Sequence, residues 1–148
     1  MKFLNALLLI CIFSCAKPNY RPVQPITENQ KQDLVDGKRC PLFFQTEHLC
    51  FEYKWINRPT QDEMGKIEFK FYVQEKPEVS VIPNHKVDVV LWMPAMGHGS
   101  RPVTVEQNPN STYTASKVFF IMPGEWEIRF QLKEDKNVYD QIVEKIKI

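Results

Sequence analysis

The densest run of chemically special side chains is Met93-Pro94-Ala95-Met96-Gly97-His98-Gly99-Ser100, directly after an apolar stretch that ends at Trp92. Two thioethers and one imidazole lie within six residues, and Gly97 and Gly99 free the backbone to converge them. Thioether sulfur is a soft donor and a poor ligand for zinc, magnesium or calcium, so thioether with imidazole selects Cu(I). The run holds no carboxylate that would favour a harder cation. Packing is the competing use of the same residues. Met93 follows Trp92 and Met122 follows Ile121, so either can cap a core as a gap filler, and Met64 sits in a polar loop. Met96 and His98, flanked by Gly, Pro and Ser, have no obvious core to fill.

Strands must position this loop. Leu49, Phe51, Tyr53 and Trp55 alternate with polar residues, as do Ile67, Phe69, Phe71 and Val73, and then Trp126, Ile128, Phe130 and Leu132. With Val87 to Trp92, Val103 to Val105, Tyr113 to Ile121 and Val138 to Ile148, this gives seven strands. The turns fall at Asn57-Arg58-Pro59, Glu75-Lys76-Pro77, Asn108-Pro109-Asn110, Pro123-Gly124 and Glu134 to Asn137. The expected fold is all-β, an immunoglobulin-like antiparallel two-sheet sandwich, with a barrel as the alternative. If successive strands alternate in direction, Met64, Met93, Met96 and Met122 emerge at one end with His98. His48 and His85 fall at the other end; eight residues of strand at about 3.3 Å each put His85 roughly 26 Å from Met93.

With 19 basic against 18 acidic side chains the formal charge is only +1, which argues against a nucleic-acid partner. Met1-Lys2 and the apolar run Phe3 to Phe13 read as an export signal, too short to span a bilayer. The run closes on Ile12-Phe13-Ser14-Cys15, which resembles the bacterial lipobox, so cleavage after residue 14 and acylation of Cys15 are expected. Ala16 and Lys17 carry no acidic retention signal, which favours the outer membrane, with the domain facing the periplasm. Residues 15–37, with Pro18, Pro22 and Pro25, read as an acylated tether, with a short helix near Asp33 as an option, and 38–148 as the folded domain. Cys40 and Cys50 remain as an even pair in an oxidising compartment, so a disulfide is expected.

Enzyme readings find little support. Ser100, Ser111 and Ser116 have no nucleophile-elbow pattern around them, and Glu134-Asp135 sits in a turn. Leu91-Trp92-Met93-Pro94-Ala95-Met96-Gly97-His98-Gly99, followed by Phe120 to Ile128 with Gly124 and Trp126, resembles the YtkA-like and FixH-like domain group. The resemblance implies an immunoglobulin-like sandwich on an exported or membrane protein, near copper handling or assembly of haem-copper oxidases. It points to Met93, Met96 and His98 as metal ligands, with Met122 a weaker one. A related copper-binding group uses an N-terminal His, from which this chain departs, since its mature N-terminus would be an acylated Cys. Two functions follow as expectations. One is a monomeric, lipid-anchored module that takes Cu(I) and passes it to a partner protein; the other is a metal-free structural or interaction sandwich.

Overall fold

The computed structural model describes residues 40–60 and 63–148. The expected leader, the acylation site at Cys15, the tether over 15–37 and the optional helix near Asp33 lie outside the described residues. Among the described residues there are ten strands: β1 (Phe43–Phe44), β2 (Leu49–Asn57), β3 (Gly65–Tyr72), β4 (Ser80–Val81), β5 (Lys86–Met93), β6 (His98–Gly99), β7 (Thr104–Gln107), β8 (Tyr113–Val118), β9 (Glu125–Glu134) and β10 (Asn137–Lys147). They form two antiparallel sheets, β1-β2-β3-β8-β7 with β4 added to β3, and β10-β9-β5-β6. The order β2-β3-β8-β7 opposite β10-β9-β5 is the four-plus-three arrangement of a constant-type immunoglobulin domain. The sandwich expected from alternation is therefore the fold, and three strands of two residues each raise the count from seven to ten.

Alternation works because residues two apart share a face of the pleat. Phe51 on β2, Ile67, Phe69 and Phe71 on β3, Val89 and Leu91 on β5, and Trp126, Ile128, Phe130 and Leu132 on β9 are all at most 2% exposed. Rings meet across the layers, Phe51 and Phe69 on one sheet with Phe130 on the other at 4.6 and 5.5 Å, while Phe69 stacks on Tyr113 within its own sheet at 5.4 Å. Burying such aromatic side chains is the main force closing the sheets.

The expected strand over Tyr113 to Ile121 is shorter than the pattern suggests and ends at Val118. Lys117 takes φ +62°, and the pairing with β3 slips between Ile67↔Ala115 and Gly65↔Val118. One extra residue there returns Val118 to the core, fully buried, and releases Phe119 to Met122 as the crossing to β9.

The chain enters beside Cys50, to which Cys40 is disulfide-bonded, as the cysteine count implied. That end is clasped by Glu47, whose carboxylate accepts hydrogen bonds from Asn84 N–H at 2.8 Å, His85 N–H at 3.0 Å and the His85 ring at 2.6 Å. Burial would push the Glu47 carboxyl up, but these hydrogen bonds together outweigh it and hold the group below its ordinary value. His85 also stacks on Tyr139, with ring centroids 4.0 Å apart. Both His48 and His85 thus lie at the chain-entry end, remote from Met93 at the far end of β5, as strand direction implied.

Candidate metal site

β5 and β6 form a hairpin in which Trp92 pairs with Gly99 and Met93 with His98. His98 and Gly99 are therefore not loop residues, as the Gly-rich string suggested, but a short strand folded back on β5. The turn Pro94 to Gly97 is closed by the Met93 carbonyl, which accepts from Met96 N–H at 3.2 Å and Gly97 N–H at 3.0 Å. Gly97 sits at φ +65° with nothing within 4 Å of where a side chain would start, so backbone conformation and not crowding favours glycine there. Gly99 is different: a Cβ there would lie 3.0 Å from the Leu91 carbonyl oxygen.

Directly paired residues of an antiparallel ladder point to the same face, so Met93 and His98 both face inward. On the other flank of β5 the pairing Trp92↔Glu127 places Trp126 next in line with Met93. Met93 therefore lies between His98 and Trp126 at the rim of the core, and it is 4% exposed. The His98 ring stands 6.3 Å from the Trp126 ring, edge to face. Trp126 is fully buried; its Nε1–H donates to the Met122 carbonyl at 3.0 Å, and Phe120 packs on its ring at 5.4 Å.

The Met93 methyl lies where Gly124 leaves room. A Cβ on Gly124 would fall 2.6 Å from it, and Gly124 has φ +142°. The crossing from β8 is also tied to the hairpin by a short hydrogen bond from the Ser100 hydroxyl to the Phe119 carbonyl.

The four sequence-derived ligands occupy three different situations. Met96 is 60% exposed at the tip of the turn. His98 is half-buried at the sheet edge, with Nδ1 3.1 Å from the Gly99 carbonyl oxygen. A carbonyl can only accept, so this contact puts the neutral ring's proton on Nδ1 and leaves Nε2 with a free lone pair. Met93 is a core residue, and Met122 is half-buried and packs against that core, so the gap-filling role applies to both. Met64 is at the same end, 45% exposed, with its carbonyl accepting from Asn57 Nδ2 at 2.9 Å. Among the described residues no three His, Cys, Asp or Glu side chains are grouped to hold a metal ion.

A family model described as YtkA-like matches residues 56–131, a little over half of the chain. The chain belongs to the YtkA-like family. The match runs from the end of β2 into β9 and so contains the Met93/His98 hairpin, Met122 and Trp126. No match is found among curated proteins or among solved structures. Within this YtkA-like domain the residues that reading the string in isolation left out are Trp126 and Gly124. Both belong to the Gly-x-Trp turn, which the sequence offers as a fold signature; their contact with Met93 and His98 arises only when β9 is laid beside β5.

Proposed function

We propose that this YtkA-like protein is a lipid-anchored envelope module that binds Cu(I) through Met96, His98 and Met93, with Met122 behind them, for copper handling or oxidase assembly. The observation that carries the reading is the pairing of Met93 with His98 below a turn that leaves Met96 60% exposed. The donors suit a soft monovalent ion in kind: two thioethers and an imidazole whose Nε2 is free. Bound copper would supply a redox-active, exchangeable soft cation. The protein supplies Met96 and His98 from the open side, Met93 from the core side, and the Gly99 carbonyl that fixes the His98 tautomer. The module is read as a monomeric carrier or buffer rather than an enzyme, passing its ion to a partner protein.

The anchor would be the acylated Cys15 in the outer membrane. Among the described residues no helix is long and apolar enough to cross a bilayer. Cys40, the first described residue, lies at the end of the sandwich away from Met96. X-ray absorption of the copper-loaded protein tests the ligand set. Mixed sulfur and nitrogen scattering, with the nitrogen shell lost in His98→Ala, supports it; an all-oxygen/nitrogen shell refutes it. The burial of Met93 favours a second reading, in which the hairpin is a rigid recognition element and carries no metal.

A further inference from the structure

Exposed apolar side chains stand at both ends of the sandwich, Val79, Ile82, Val138 and Tyr139 at the chain-entry end and a second set at the Met/His end, so charge rather than apolar surface distinguishes the two. Ile56 is 52% exposed, Met64 45%, Met96 60% and Ile121 43%. They are neighbours through the fold: Ile56 precedes Asn57, which pairs with Lys66 and holds the Met64 carbonyl; Gly65 pairs with Val118, three residues before Ile121; and the Ser100 hydroxyl ties the Met96 hairpin to Phe119. Two grooves on the surface, of about 390 and 260 Å³, are lined by other residues. Ile56 stands near the end of β2, and Met64, Met96 and Ile121 stand in three separate turns and loops.

Charge divides along the same axis. Exposed Arg58, Lys66, Arg101, Lys117 and Lys147 surround this end, against Glu63 and Glu125, of which Glu125 pairs across the ladder with Lys147. Asp62 of the same connection lies outside the described residues. At the chain-entry end the turns carry Glu75, Glu78, Glu134 and Asp135 against Lys76 and Lys136. Among the described residues, exposed positive charge thus gathers at the Met/His end and negative charge at the chain-entry end.

We infer that this end is a docking face for an anionic lipid surface, on which Ile56, Met64, Met96 and Ile121 enter the headgroup boundary and the surrounding Arg and Lys meet lipid phosphates. Exposed aliphatic side chains ringed by cations match a plane that is apolar beneath and negative above, whereas the equally apolar chain-entry end is ringed mainly by carboxylates. A second copy of the chain would bring two positive poles together. The inference uses no part of the copper reading, and the test is run with chelator present so that the two fail separately.

The test is amide hydrogen exchange of the full chain on vesicles of phosphatidylcholine alone, and of phosphatidylcholine with phosphatidylglycerol. On the anionic vesicles exchange near Ile56, Met64, Met96 and Ile121 slows by about tenfold, the turns at 74–79 and 134–137 stay unchanged, and added salt reverses the effect. The double variant Arg101→Glu/Lys117→Glu loses the slowing while its core strands exchange as before. Equal exchange on both vesicle types overturns the inference, as does equal slowing at both ends. Slowing that follows protein density regardless of lipid also overturns it, by pointing to contacts between copies.

Discussion

Gly124→Ala probes the packing that holds Met93 beneath the hairpin. Two costs act together. A side chain at φ +142° is strained by about 1–3 kcal/mol. Its Cβ would also lie 2.6 Å from the Met93 methyl, and because that methyl ends a flexible chain it can yield, at roughly 1 kcal/mol, by moving toward His98 and Trp126. The variant should therefore lose about 2–4 kcal/mol in urea unfolding, read from the midpoint at unchanged slope. Met93→Leu removes the overlapping atom at a cost below about 1.5 kcal/mol. Placing Gly124→Ala in that background should recover the overlap, a coupling of about 1 kcal/mol, while the backbone strain remains. A loss under about 0.5 kcal/mol for Gly124→Ala, or the same loss in both backgrounds, would refute the placement of Met93 between His98 and Trp126.

Replacing Cys40 and Cys50 by Ala opens a loop whose ends are ten residues apart and should cost about 2–3 kcal/mol, measured by the same unfolding assay. Glu47, held below its ordinary carboxylate pKa in the folded state, stabilises the protein above the unfolded-state value and loses that contribution as pH falls through the folded one. Glu47→Gln should accordingly flatten the acid side of the stability–pH curve, whereas an unchanged acid slope would exclude the clasp. Gly97→Ala meets no steric neighbour, so only the left-handed backbone cost of about 1–2 kcal/mol is expected; a larger drop would show a contact at the turn.

Much of this architecture is legible in the alternation of Leu49 to Trp55 and of Trp126 to Leu132, because a half-buried strand writes its face into every second residue. Strand parity then brings Met64, Met93, Met96, Met122 and His98 to one end without any coordinates. Two-residue strands carry too little sequence to show a period, so β1, β4 and β6 are invisible beforehand, and with β6 the pairing of His98 to Met93. The pattern Tyr113, Ala115, Val118, Phe120 changes phase at Lys117; read as one strand it hides the bulge that frees Phe119 to Met122. Contacts between distant loops are illegible for a different reason. Glu47 reaching His85, or Gly124 making room for Met93, depends on which turns the two sheets bring together.

The central claim is that Met96 and His98 carry a Cu(I) site, and a competitive Cu(I) titration of the intact protein tests it most directly. Met96→Leu keeps the volume of an exposed side chain but removes its sulfur and leaves the core untouched, and His98→Ala removes the Nε2 donor together with the ring edge beside Trp126, so the fold of the latter is checked by its unfolding midpoint. The account predicts one-to-one binding that weakens by at least about tenfold in each variant and is abolished in the double variant. Binding that is absent in the unaltered protein, or equally tight in Met96→Leu/His98→Ala, would contradict it and leave the hairpin as a recognition element.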